Sequence, residues 1–511
     1  MTVLSRRMAP AIRFLRLCVL PPVLAGCLFE THAPDPAAAH ILAYRLEAPA
    51  GGGCRVTVRI DAWPADEAKL FQAPVYYPDN PVCPVPGLRA ADLDIRDGRG
   101  APLAARDSAS VSPADGNLIL LPAAARSFSY PVDLAPGNDA RFGLPAPGLA
   151  PGTDAVDGAY FFLLPVLAAD IAARWRAPAR ISLDIESPGR VSAGFDAHQD
   201  LASPYELMFV RGAFDPLRMV SLSASGRELR VYALSDPALD LEAYAGLLAD
   251  CMRLVGDSLL PVPGRVYSAG ECPAFWGIEG MGGHWFNAGA VRDRMVHTHE
   301  AIHSFLGVRH GDLEDPWWKE GMTNYLGWLL PFQAGHIPDT IFAAQMLADL
   351  DTARAVREVS LSSPSVRTRL YLPLDTAWKF QEDPEGYTLL VYGKGGQASM
   401  ILDRWLLERS GGRHSVFDLV RALVQQHGNA FTRRDLAAET SRLAGAPSEA
   451  FLSELLDSPG ALPPDSLRST YRALLALGRF GPGGGRSPVP ALDPPAAKRA
   501  AAFRKPPGGK L

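Results

Sequence analysis

Long apolar runs are missing. Beyond the first 26 residues no stretch of 18 consecutive apolar residues occurs, so nothing in the body of the chain reads as a membrane span. Cysteine is scarce, with six in 511 residues, and none shows zinc-finger spacing, which argues against cysteine as a metal ligand. Basic excess is absent as well. The net charge is −5, and it becomes −9 once the first 26 residues, with Arg6, Arg7, Arg13, Arg16 and no acid, are set aside; nucleic-acid binding is therefore disfavoured. No internal repeat is visible. What remains is an ordinary globular composition, 48% hydrophobic and 21% charged, long enough for two or three domains.

The first residues read as an export signal: an arginine-bearing start, an apolar run from Leu17 to Ala25, then small residues ahead of a cysteine. Leu24-Ala25-Gly26-Cys27 resembles a bacterial lipobox, which implies cleavage after residue 26, lipidation of Cys27 and a soluble body tethered to the membrane of a cell envelope. A plain secretory signal, giving a secreted protein, is the alternative. Of the cysteines beyond Cys27, an even set of four in an exported protein suggests disulfides, most economically Cys54 with Cys83 and Cys251 with Cys272, although three pairings are open.

Along the chain, residues 27–40 read as a tether. Residues 41–235 carry short alternating segments, such as Val56, Val58 and Ile60, or Ile181, Leu183 and Ile185, and later Leu229 and Val231; Gly158 to Leu167 reads as a buried strand. This half is expected to be a β-sandwich or open sheet. From Asp236-Pro237, an N-cap and first-turn pair, the pattern turns mostly helical. Helices are expected near 292–306, 317–330, 340–356, 396–408, 415–426, 434–443 and 465–477. The second part divides into 236–410, which carries the chemistry, and a helical region 411–480. The last residues, 481–511, form a basic Gly/Pro/Ala tail expected to be disordered.

The chemistry sits in His299-Glu300-Ala301-Ile302-His303. Two histidines four apart lie on one helical face, one turn apart, and both imidazoles can reach one zinc ion. They share that stripe with Met295, Ile302 and Leu306, so they face the interior. A buried pair satisfied by hydrogen bonds is the plainer reading of the histidines alone. Glu320, on the next helix, supplies the third partner: two neutral imidazoles and a carboxylate leave the fourth tetrahedral position of Zn2+ open for water. Glu300, about 100° around the helix from His299, suits a general base better than a ligand. Asn324 is a candidate to orient a ligand histidine. His297 and His310 read as polar surface residues.

These residues, with Glu320-Gly321-Met322-Thr323 downstream, resemble the gluzincin metallopeptidases, and with their flanking segments most resemble the glycyl aminopeptidase family. Gly277-Ile278-Glu279 stands where that family carries a Gly-Leu-Glu type motif, and Tyr392-Gly393-Lys394-Gly395 resembles its Tyr-x-Lys-Gly segment. The resemblance spans roughly Ile41 to Leu477. It implies a multidomain α+β protein: an N-terminal β domain and a thermolysin-like, mainly helical zinc peptidase domain. It also implies that Glu279, with Gly277, binds the substrate's α-amine and that Tyr392 stabilises the oxyanion.

Three departures stand out. Sixteen residues separate His303 from Glu320, fewer than in alanyl-type aminopeptidases; Gly280 replaces a usual histidine, with His284 four further on; and the family's C-terminal PDZ-type domain is not expected. The reading is a zinc aminopeptidase favouring small N-terminal residues, with a peptide or protein substrate. A zinc endopeptidase, or a non-catalytic envelope binding lipoprotein that retains the fold, are the alternatives.

Overall fold

The computed structural model describes most of residues 40–480. Outside it lie 1–39 and 481–511, together with 51–52, 73–89, 109–117, 133–153, 159–161, 167–178, 202–205, 208–209, 263, 273–276, 281, 287–292, 307–316, 364–385, 387 and 428–431. The export signal, Cys27, Cys83, His310 and the basic tail therefore fall outside the described residues, as does part of the run from Gly158 to Leu167, within which Leu164–Pro165 forms a short strand. Among the described residues no helix is long and apolar enough to cross a membrane.

The first half is built on a seven-stranded sheet. Its order is His198–Leu201, Ala179–Glu186, His40–Glu47, Cys54–Ala62, Ala125–Val132, Asp94–Asp97 and Pro102–Leu103. Only the central pair His40–Glu47 and Ala179–Glu186 runs parallel; the other pairs are antiparallel. The period of two in Val56, Val58 and Ile60 and in Ile181, Leu183 and Ile185 becomes one buried face, as alternating side chains on a pleated strand require. That face shares a core with a four-stranded sheet containing Lys69–Gln72 and Leu118–Leu121. The Phe71 and Phe128 rings meet edge to face across it at 4.8 Å.

Strands on either side of residue 235 share a third, five-stranded sheet, ordered Arg218–Ala224, Arg227–Ala233, Val266–Glu271, Gly283–Phe286 and Gly277–Gly280. The β pattern thus continues well past the expected change to helix. The helix Leu241–Ser258 crosses between two parallel strands of this sheet, the connection that parallel pairing needs. It begins at Leu241 with Asp240 as N-cap, later than the sequence suggested. Asp236 instead turns the chain, its Oδ1 accepting from the Ala238 amide. The middle of the sheet is buried on both faces: Leu229, Val231 and Ala233 join the helical core, whereas Tyr232, Leu234 and Trp285 join the core of the first half.

The expected disulfide between Cys251 and Cys272 does not form. Cys251 is a free thiol on the crossing helix, with Sγ directed at the Arg294 carbonyl, while Cys272 is packed in the core on the first half's side. Burial pushes the Cys251 thiol up to about 11, so it stays protonated and behaves as a small apolar side chain. Cys54 is buried at the start of its strand, and its suggested partner lies outside the described residues.

The helical part follows the sequence pattern closely in Gly395–Arg409, Val416–His427, Arg433–Ala444 and Pro464–Ala476. Two differences appear. The segment expected as one helix over 340–356 divides into Asp339–Met346 and Arg354–Glu358, and a further helix, Glu449–Asp457, was not anticipated. The described chain closes at Arg479 and Phe480. Phe480 packs against Phe342 and Tyr471, and Arg479 Nε donates to the buried carboxylate of Asp403 at 2.8 Å. Asp403 also accepts from Tyr325 Oη at 2.8 Å and the Val416 amide at 3.0 Å, tying together three helices.

Removing that carboxylate strands a buried guanidinium, so Asp403→Ala should cost about 3–5 kcal/mol and lower the thermal unfolding midpoint by several degrees. Asp465→Ala, which removes an exposed partner of Arg468, should change stability by less than about 1 kcal/mol. Calorimetry of the two variants checks the contrast.

Candidate metal centre

The helix carrying the two histidines runs from Arg294 to His303, capped by Asp293, whose Oδ1 accepts from the Met295 amide. It is buried on nearly every side. His297, expected at the surface, is fully buried: Nδ1 lies 3.0 Å from His284 Nε2 and 3.1 Å from Tyr244 Oη. His284 Nδ1 reaches Tyr267 Oη at 2.9 Å. Burial, then the neighbouring His297, hold His284 well below the usual imidazole range, so the His284 ring is neutral. It ties the histidine helix to the strand Gly283–Phe286. Tyr244 and Tyr267 are pushed up, first by burial and further by neighbouring charges that include Glu300.

His299 and His303 face each other, with Nε2 atoms 2.9 Å apart. The tautomer of His303 follows from its other nitrogen. Nδ1 lies 2.8 Å from the Leu306 carbonyl, an acceptor, so Nδ1 carries the proton and Nε2 presents a lone pair. Glu320 Oε2 lies 3.6 Å from His299 Nε2 and 3.5 Å from His303 Nε2. Those separations are too long for good hydrogen bonds. They match the edge of a tetrahedron, about 3.3–3.6 Å, drawn around an ion about 2.0–2.2 Å from each atom.

Glu320 supplies the sharper observation. Its side chain is 1% exposed, and neither carboxylate oxygen finds a hydrogen-bond partner among the described residues. An ionised carboxylate so placed is costly without a cation. Burial alone would raise its pKa; His303 and His299, with Lys319 behind them, outweigh burial and hold it well below the usual carboxylate range. The residues present therefore fit a divalent cation. Among the described residues His299, His303 and Glu320 are the group of metal-ligating side chains close enough together to hold one. Two imidazoles and one carboxylate suit zinc and leave a coordination position open.

Glu320 stands in a π-helical segment, Trp317–Met322, that opens into the helix Thr323–Gln333. Tyr392 stands in another, Leu389–Lys394, that opens into Gly395–Arg409. Such segments concentrate at functional sites, because one extra residue re-aims a side chain without ending the helix. The Tyr392 ring lies nearly parallel to the His299 imidazole, with centroids 6.0 Å apart, so Tyr392 borders the histidine pair. Glu300 is buried in the turn between the two histidines. Asn324 Nδ2 donates to the Tyr392 carbonyl at 3.1 Å. Gly327 lets the two helices approach, since a Cβ there would stand 3.1 Å from His299 Cβ.

Gly277 and Glu279 lie in the edge strand Gly277–Gly280, with Glu279 paired in register to His284; the Glu279 side chain lies outside what the structure describes. Sequence reasoning missed the buried His284–His297 hydrogen bond and the contact between the two π-helical segments. The signal for the second was the repetition of glycine after a site segment, in Glu320-Gly321 and Lys394-Gly395.

No family model matches the sequence, and no curated protein matches it. Solved structures do match its fold. An aminopeptidase N family protein from Idiomarina loihiensis superposes with a TM-score of 0.58 at 14% identity, over 84% of this chain and 78% of that one. A glutamate-to-alanine variant of an M1 zinc metallopeptidase from Deinococcus radiodurans gives 0.52 at 15% identity, over 86% of this chain and 99% of its own. The same variant bound to a Tyr-Ser-Ala substrate gives 0.51 at 16% identity over the same shares. The fold is thus the α+β architecture of these metallopeptidases, with a sheet-rich first half and a helical second half.

If the three side chains hold zinc, the ion stabilises the folded state by mass action. After chelation, adding zinc to about 100 times its Kd should stabilise the folded protein by about 2.7 kcal/mol, read as a rise in unfolding temperature. His303→Ala should show no such rise.

Proposed function

We propose that this protein is a zinc metallopeptidase that hydrolyses peptide bonds, and that it acts as an aminopeptidase. The observation that carries the proposal is the convergence of His299, His303 and a buried, unsatisfied Glu320 carboxylate on one point, beside Glu300 and Tyr392. In this reading His299, His303 and Glu320 are the zinc ligands. The chemistry a zinc ion supplies when bound is Lewis-acid polarisation of the scissile carbonyl and acidification of a water.

The protein's own groups do the rest. Glu300, one residue on from His299 and so directed away from the ligand face, takes a proton from the attacking water on a carboxylate oxygen and delivers it to the leaving amine. The Tyr392 hydroxyl donates a hydrogen bond to the oxygen that becomes negative as the carbonyl carbon turns tetrahedral. Leu306, through its carbonyl, keeps the His303 proton on Nδ1, so that Nε2 remains available throughout.

The aminopeptidase assignment rests on the likeness of Gly277-Ile278-Glu279 to an amine-binding motif and on the edge-strand position of that segment, with Glu279 fixing the substrate ammonium. A metallopeptidase of the same fold binds the tripeptide Tyr-Ser-Ala as substrate, which supports a short peptide here too. A preference for small N-terminal residues completes the reading. We place the enzyme at a bacterial cell envelope, anchored through Cys27, on the strength of Leu24 to Cys27 alone.

Glu300→Gln should retain zinc and lose peptide hydrolysis by about 10²–10⁴-fold. Full activity in the purified variant would refute the mechanism. Free and N-terminally blocked dipeptides and tripeptides test the specificity: an aminopeptidase leaves the blocked ones intact, whereas their cleavage identifies an endopeptidase. Stoichiometric zinc with no cleavage of any peptide would identify a binding protein.

A further inference from the structure

We infer that Gly321 and Gly395 form a backbone-to-backbone seat that sets the position of Tyr392 relative to the Glu320 carboxylate, and that both are positioning residues for peptide hydrolysis. The inference rests on the zinc peptidase reading and deepens it, since it says what holds the oxyanion donor in register with the metal ligands.

The two residues belong to different helices. Gly321 follows Glu320 within Trp317–Met322, and Gly395 follows the segment Leu389–Lys394 that carries Tyr392. A Cβ on Gly321 would stand 2.6 Å from both the carbonyl carbon and Cα of Gly395, and 2.9 Å from the Val391 oxygen. All three are backbone atoms, which cannot swing aside. From the other direction, a Cβ on Gly395 would stand 3.0 Å from Gly321 Cα and 3.4 Å from Trp317 Cβ. At Gly321 only hydrogen allows this approach, and a Cβ at Gly395 would push the neighbouring backbone by a few tenths of an ångström. Neither glycine has a positive φ, so conformational freedom is not the requirement; space is.

Two hydrogen bonds hold the seat. Asn324 Nδ2 donates to the Tyr392 carbonyl, bridging the helices one turn beyond Glu320, and Ser399 Oγ donates to the Gly395 carbonyl at 2.9 Å, closing the first turn of the second helix. The contact falls where each π-helical segment passes into regular helix. A shift of a few tenths of an ångström there moves Tyr392 against Glu320, and small misplacements of catalytic groups are expensive in rate.

The test compares variants on a free dipeptide amide, with zinc content measured by metal analysis. Gly395→Ala should fold and hold one zinc, with kcat reduced about tenfold or more and KM little changed. Gly321→Ala, with the closer clash and next to a ligand, should lose zinc affinity as well. Gly246→Ala, in the helix Leu241–Ser258 and with nothing within 4 Å of its Cβ, should behave as wild type. The decisive comparison is made in a Tyr392→Phe background. If Gly395 acts through Tyr392, Gly395→Ala causes no further loss there.

Asn324→Ala removes a tie without adding volume, and should show the same kcat loss and the same non-additivity even if Gly395→Ala fails to fold. Wild-type kcat in folded Gly395→Ala, or a full additional loss for Gly395→Ala and Asn324→Ala in the Tyr392→Phe background, would overturn the inference alone. Unchanged kcat in zinc-loaded Tyr392→Phe would instead overturn the underlying role of Tyr392, and the inference with it.

Discussion

A buried carboxylate that finds no hydrogen-bond partner among the described residues is the constraint on which the site depends. Glu320 is buried in a segment whose Trp317, Trp318 and Met322 are buried as well, in a place where a lone anion is costly. The histidines on the facing helix offset that cost by directing two nitrogens at the same point, and they hold the carboxyl in its charged form despite burial. The three side chains together fit a divalent cation. The rest of the helical core, from the close approach at Gly327 to the Asp403 clasp, keeps these two helices at the separation the three side chains need.

The sheets contribute indirectly. The middle of the five-stranded sheet is buried on both faces, so the helices rest on a platform that is itself fixed by the core of the first half. The hydrogen-bonded His284–His297 pair runs from that platform into the histidine helix, two residues before His299. Its members are fully buried and mutually bonded, which accounts for histidines in an apolar interior without any role as ligands.

Much of the site was legible in the sequence because its key relations are local. The i, i+4 spacing of His299 and His303 needs only helical periodicity, and Glu320 stood out as an acid among apolar neighbours on the next helix. The alternating strands of the first half were legible for the same reason. What the sequence hid is tertiary. His297 reads as polar surface when only its neighbours in the chain are counted, and it becomes buried because His284 and Tyr244 arrive from other elements. The suggested Cys251–Cys272 bridge came from cysteine parity, which carries no information about which core a residue joins. Asn324 looked like a partner for histidine and is aimed at Tyr392, because a π-helical segment alters which residues line a face.

The account stands most directly on what surrounds a zinc ion in the purified protein. Zinc-edge X-ray absorption on the metal-loaded, full-length protein should show a first shell of nitrogen and oxygen at about 2.0–2.2 Å, with two imidazoles and no sulfur. Absence of bound zinc, or a shell containing sulfur at about 2.3 Å, would contradict it.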